Sequence, residues 1–169
     1  MGHLATPPGG ARSGKSRYAL GRAEAHAGEL VFIATGQAFD DEMADRIRQH
    51  QADRGSRWRT VEAPITLAEA ITENAAAGTL VLVDCLTLWT SNLMLAEQDI
   101  EAATDQLVAA VLSAEGPIIL VANEVGLGIV PDNALARQFR DLAGRINQAV
   151  AASVDEVQFL AAGLPLRLK

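Results

Sequence analysis

The stretch Gly9-Gly10-Ala11-Arg12-Ser13-Gly14-Lys15-Ser16 constrains this 169-residue chain more than any other. It satisfies the spacing G-x-x-x-x-G-K-[ST], in which backbone N–H groups and a helix N-terminus surround phosphate oxygens. In that arrangement Lys15 reaches the β- and γ-phosphates and the Ser16 hydroxyl binds Mg²⁺. A loop of this kind needs a buried strand before it and a helix behind it. Residues 16–27 supply the helical pattern, and Gly28 closes it. Ahead of the loop stand Leu4-Ala5-Thr6-Pro7-Pro8, and each proline removes a donor from a ladder. The expectation is a poorly formed first strand: Leu4–Thr6 pair briefly, and residues 1–8 form an irregular leader to one domain spanning residues 1–169. The alternative is a glycine-rich turn that merely caps a helix.

The rest of the chain decides between the two. Apolar runs alternate with helical patterns, which predicts an α/β fold with a mostly parallel sheet between helices. Strands are expected at Leu30–Ala34, Arg59–Glu62, Leu80–Asp84, Ile118–Ala122, Val157–Ala161 and Leu164–Leu168. Pro165 places the last at an edge. Helices are expected at Asp40–Arg54, from a Thr66-x-x-Glu69 capping box to Gly78, and over Leu88–Leu95, Ile100–Ala114 and Asn133–Ala152. A nucleotide site also requires an acidic residue ending a neighbouring buried strand, to hold the metal and its water. Asp84, which ends Leu-Val-Leu-Val-Asp, meets that requirement. Loop and acid together favour the nucleotide site over the turn.

Composition narrows the class of ligand. The net charge of −7 argues against nucleic acid and favours a small-molecule ligand. The single Cys85 excludes an internal disulfide and fits a reducing compartment, so a cytoplasmic location is expected. No apolar run reaches the length of a membrane span, and the N-terminal residues lack the pattern of a signal peptide.

Met43, Ile47 and His50 share one face of the expected Asp40–Arg54 helix. From spacing alone, a hydrogen-bonded core histidine is the plainer reading. Arg46 and Arg54, one turn to either side, bias the imidazole toward its neutral, nucleophilic form and could neutralise phosphate charge. They also read as a solvated face balanced by Glu42, Asp45 and Asp53. His26 lacks such neighbours and reads as a surface residue. The loop Asn123–Pro131 comes after a strand end, where ligand crevices form. Its Glu124 orients a substrate group or simply belongs to a tight turn. Trp58 and Trp89 read as packing residues.

The runs GGARSGKSRYA, FIATGQAFDDEMADRIRQHQADR, WRTVEAP, LVLVDCLTLWTSNL, LVANEVGLGIVPDN and LARQFRDLAGRINQAVA stand in this order from Gly9 to near the C-terminus. Together they closely resemble the bifunctional adenosylcobinamide kinase / adenosylcobinamide-phosphate guanylyltransferase family of cobalamin biosynthesis. Members usually carry an apolar strand directly before the loop, where this chain has Leu-Ala-Thr-Pro-Pro. The resemblance implies a three-layer, recombinase-like phosphate-loop NTPase fold and assembly as a homotrimer. It implies phosphorylation of adenosylcobinamide by ATP or GTP, then transfer of GMP from GTP to give adenosylcobinamide-GDP. It further implies that His50 carries the guanylyl group, with Lys15 as the other catalytic residue. Nucleotide contacts would come from Gly9, Gly10, Ala11, Arg12, Ser13, Gly14, Lys15, Ser16, Ala34, Thr35, Gly36, Gln51, Ala52, Asp53, Arg54, Glu62 and Asp84, with Ser16 and Asp84 toward Mg²⁺.

Two other functions compete. Another small-molecule kinase on this fold would leave His50 structural. A non-catalytic, nucleotide-responsive assembly module would bind nucleotide without turnover.

Overall fold

In the computed structural model, which describes residues 3–9, 13–37 and 55–169, every residue of Leu80–Val83 is buried. A strand buried on both faces needs helices on both sides. Strand β4 (Thr79–Asp84) sits inside a seven-stranded sheet. Its companions are β1 (Leu4–Gly9), β2 (Glu29–Ala34), β3 (Trp58–Glu62), β5 (Ile118–Asn123), β6 (Glu156–Ala161) and β7 (Leu164–Arg167). The order is β3-β2-β4-β5-β1-β6-β7, parallel throughout except for the β6–β7 hairpin at the edge. The expected edge position of the Pro165 strand is therefore observed.

The period-2 alternation of the strands sorts their side chains to two cores. Val81, Val83, Val31, Ile33, Ile118 and Leu120 point to one core. Four helices cover it: α2 (Leu67–Asn74), α3 (Leu86–Leu95), α4 (Ile100–Ser113) and α5 (Ala134–Ser153). Leu80, Leu82, Leu30, Phe32, Ile119 and Val121 point the other way, where Ala19 and Ala23 of α1 (Lys15–Glu24) meet them. Each large aliphatic side chain so buried contributes about 1.5–3 kcal/mol. These helices on two faces complete the three layers. Among the described residues, no helix is long and apolar enough to cross a membrane.

The first strand pairs over Leu4–Thr6, as expected, and extends to Gly9. Leu4, Ala5 and Thr6 pair with Ile119, Leu120 and Val121 of β5, and Leu4 and Ala5 also pair with β6. The ladder shifts register after Thr6 and resumes with Gly9 opposite Asn123. The missing proline N–H groups thus interrupt the ladder without ending the strand. The expected Asp40–Arg54 helix lies outside the described residues.

Two helix signals also need correction. Thr66 forms no side-chain cap, because its backbone (φ −83°, ψ 52°) is not in the extended region that a capping hydroxyl requires. Helix α2 also stops at Asn74, four residues before Gly78. The carbonyl beyond it, on Ala75, is taken by the N–H groups of Glu115 and Gly116. Helix α1 ends at Glu24, so Gly28 is not its stop. A β-carbon at Gly28 would collide with the Gly78 carbonyl oxygen, so glycine is needed there for close backbone approach. His26, read as a surface residue, bonds that same carbonyl through Nε2 at 3.0 Å.

One ion pair ties α1 to β6. Arg22 donates to both carboxylate oxygens of Glu156 at 3.1 and 3.2 Å. The guanidinium is the main cause holding the Glu156 carboxyl below its usual range. Because the folded pKa is the lower one, the pair's stabilisation is full above the unfolded value. It is lost as pH falls from there through the folded value. With the Arg22 side chain 42% exposed, Arg22→Ala is expected to cost less than about 1 kcal/mol near neutral pH. Urea unfolding should show that difference closing below about pH 4. A difference that does not narrow as pH falls below about 4 would show that Arg22 acts through packing instead.

Candidate nucleotide site

Five parallel strands bring their carboxyl ends to one end of the sheet, where crevices form in open α/β folds. Their register sets the site. Glu62 of β3 lies beside Ala34 of β2, Ala34 beside Asp84 of β4, and Asp84 beside Val121 of β5. Gly9 of β1 pairs with Asn123, two residues further along β5. Three residues nominated from sequence, Ala34, Glu62 and Asp84, therefore share one row, with about 4.8 Å between neighbouring strands.

The loop enters this row from β1. Gly14 adopts φ +92°, a left-handed conformation that favours glycine, and the helix begins at Lys15. The first-turn N–H groups thus face the strand ends. Ser16 Oγ donates to Asp84 Oδ2 at 2.7 Å, joining the two residues expected to face Mg²⁺. Lys15 is buried, 6% exposed, and its Nζ donates to Ser13 Oγ at 3.2 Å. Burial lowers the Lys15 pKa from its ordinary value, opposed chiefly by the charge of Asp84. A bound polyphosphate would add negative charge and restore the ammonium's preference. The pair of Ser16 hydroxyl and Asp84 carboxylate fits a hard cation held mainly by nucleotide oxygens and water.

Thr35 is fully buried, and its hydroxyl is used within the protein. Oγ1 donates to the Cys85 carbonyl at 2.7 Å and accepts from the Cys85 N–H at 2.8 Å. Glu124 accepts from the Gly126 N–H at 2.6 Å, which supports the tight-turn reading of that loop. Trp89 is buried and donates to the Ile65 carbonyl at 2.8 Å, while Trp58 packs edge-on against Phe32, so both serve packing. Gly10, Ala11 and Arg12 lie outside the described residues, as do His50, Gln51, Ala52, Asp53 and Arg54.

Sequence reasoning misses two polar residues of α3. Thr87 Oγ1 accepts from the Asn123 N–H at 2.6 Å, tying the end of β5 to the start of α3. Asn92 is buried and donates to the carbonyls of Thr35 and Pro64. The one signal for it is an amide one turn from Trp89 on an otherwise apolar face.

Burial pushes the Cys85 thiol up to about 11, and the neighbouring Asp84 adds to the shift. The thiol is therefore neutral at physiological pH and poorly nucleophilic. Iodoacetamide at about pH 8, near the ordinary thiol pKa, is expected to leave Cys85 unmodified in the folded protein and to modify it in urea. Rapid stoichiometric labelling without denaturant would show that the site opens.

Comparison with known proteins adds identity to this geometry. The family model described as cobinamide kinase / cobinamide phosphate guanyltransferase matches residues 8–168. The chain is 48% identical over 164 residues to a bifunctional adenosylcobalamin biosynthesis protein, CobP, of Pseudomonas aeruginosa, covering 95% of this chain and 94% of the relative. It is 43% identical over 179 residues to a bifunctional adenosylcobalamin biosynthesis protein, CobU, of Salmonella typhimurium, covering 95% and 97%. Among solved structures it is similar in fold to the RadB recombinase, with a TM-score of 0.53 at 16% identity, covering 93% of this chain and 73% of that one.

Proposed function

We propose, from the premise that this chain belongs to the cobinamide kinase / cobinamide phosphate guanyltransferase family, how its residues divide the two reactions between them. The enzyme phosphorylates cobinamide and transfers a guanylyl group to the product. The nucleotide's polyphosphate is held by residues 9–16. The observation that carries this reading is the Ser16–Asp84 contact beside Lys15, at the ends of adjacent strands.

In the kinase step the substrate hydroxyl attacks the γ-phosphorus of ATP or GTP. Its proton passes to water, and the bond from the γ-phosphorus to the β,γ-bridging oxygen breaks to release ADP or GDP. Lys15 offsets the charge that spreads over the phosphoryl oxygens. Ser16 and Asp84 would hold Mg²⁺, which when bound would neutralise phosphate charge. In the second reaction His50 attacks the α-phosphorus of GTP and pyrophosphate leaves. The cobinamide phosphate oxygen then attacks that phosphorus, breaks the phosphorus–nitrogen bond and frees the histidine. Ala34, Thr35, Gly36, Gln51–Arg54 and Glu62 line the GTP site, where the Thr35 hydroxyl is engaged with the Cys85 backbone.

A cytoplasmic location suits these soluble substrates. A homotrimer is supported by apolar side chains uncovered in the single chain, including Leu127, Ile129 and Val130. Sedimentation measures that assembly directly. The deciding experiment for function supplies ATP, GTP, Mg²⁺ and adenosylcobinamide to the purified protein. The expected products are adenosylcobinamide phosphate, then adenosylcobinamide-GDP with pyrophosphate. Nucleotide binding without either product would favour the non-catalytic module, and phosphate product alone would favour a simple kinase.

A further inference from the structure

The carboxamide of Asn92 joins the segments that leave two strand ends. Asn92 is 5% exposed, and its Nδ2 donates to the Thr35 carbonyl at 2.7 Å and to the Pro64 carbonyl at 3.0 Å. An amide nitrogen has two N–H groups, so each carbonyl takes one. Thr35 comes directly after β2, and Pro64 stands two residues past the end of β3. Thr35 is locked a second time through the two bonds between its hydroxyl and the Cys85 backbone, next to Asp84. Its own N–H donates to the Asp84 carbonyl at 3.4 Å. One buried polar cluster therefore fixes the ends of β2, β3 and β4, the strands whose terminal row is Glu62, Ala34 and Asp84.

We infer that Asn92 is a positioning residue for guanine-nucleotide binding. It sets the Thr35 turn and the Glu62–Pro64 segment at fixed distances from Asp84, while touching no substrate itself. The inference rests on the reading that Ala34–Gly36 and Glu62 contact GTP. A crevice whose walls are not held must be ordered by the ligand, so the effect falls on binding. Chemistry at the phosphates depends on Lys15, Ser16 and Asp84, which the substitution leaves in place.

Asn92→Leu removes both donors at similar volume. It is expected to raise KM for GTP in guanylyl transfer about tenfold, as the loss of one to two net hydrogen bonds would. Its kcat is expected to stay within about threefold of wild type, a change of less than about 0.7 kcal/mol. Thr35→Val, which keeps shape and loses the hydroxyl, should behave alike. Thr35→Ser, which keeps the hydroxyl and its bonds to the Cys85 backbone, should raise KM less than Thr35→Val does. Where Asn92→Leu gives no cooperative melting transition, Asn92→Ser is measured instead and must also raise KM. An unchanged KM for GTP in a folded Asn92 variant overturns the inference, and so does a fall in kcat with KM unchanged. Glu62→Gln separates this from the underlying reading. If Glu62→Gln raises KM and Asn92→Leu does not, only the positioning role fails. If Glu62→Gln has no effect, Glu62 is not a GTP contact, and the Asn92 and Thr35 variants still decide the role of the turn.

Discussion

Lys15→Ala is expected to lower kcat/KM of the kinase step by about 10²–10³-fold, the usual cost of losing one preorganised charge-stabilising group. The reasons are geometric and electrostatic together. The ammonium is buried beside Ser13 at the start of α1, where water cannot replace it as a counter-charge. Its position next to the Ser16–Asp84 pair places it where γ-phosphoryl oxygens gather charge in the transition state. Nucleotide binding should weaken as well, because the same cation meets the ground-state phosphates. Lys15→Arg should not rescue the activity, since a wider planar guanidinium does not fit a site shaped for a compact ammonium. The fold should survive, because burying a charge is itself costly and removing it leaves the sheet intact. Steady-state kinetics with ATP and adenosylcobinamide, with melting temperatures as control, make the measurement. Kinetics close to wild type would show that the loop does not hold the transferred phosphoryl group.

Much of this site is legible in the sequence because its signals are local. Gly14, Lys15 and Ser16 are adjacent, and their spacing carries the chemistry directly. Asp84 announces itself by ending an apolar run long enough to be a buried strand. Sheet order is less legible, since nothing local in residues 4–9 says that this strand lies between β5 and β6. The prolines signal a broken ladder, and the register does shift between Thr6 and Gly9, but they do not show that Leu4 and Ala5 pair on both sides. The Thr66 capping box fails for a similar reason: the residues are right, but the backbone entering α2 is held elsewhere. Asn92 and Thr35 are the hardest to read. Their function lies in contacts 57 and 50 residues away along the chain, which no periodicity or motif encodes.

His50→Ala is expected to separate the two activities. If His50 carries GMP, the variant loses the labelled protein formed from GTP marked at its α-phosphate. It also loses formation of adenosylcobinamide-GDP. The kinase step needs no carrier, because the substrate hydroxyl attacks the γ-phosphorus directly. That activity should therefore remain, reduced at most by altered nucleotide placement. The chemistry of the adduct supplies an independent check. A phosphorus–nitrogen bond to imidazole is acid-labile and alkali-stable, so the label should leave in acid and persist in base. By their spacing Arg46 and Arg54 are expected one helical turn from His50, where they would favour the neutral imidazole that this attack requires. Replacing either arginine should slow adduct formation more than it slows the kinase. Three results would refute the assignment: label persisting in His50→Ala, label mapping to another residue, or both activities falling together in a variant that melts like wild type.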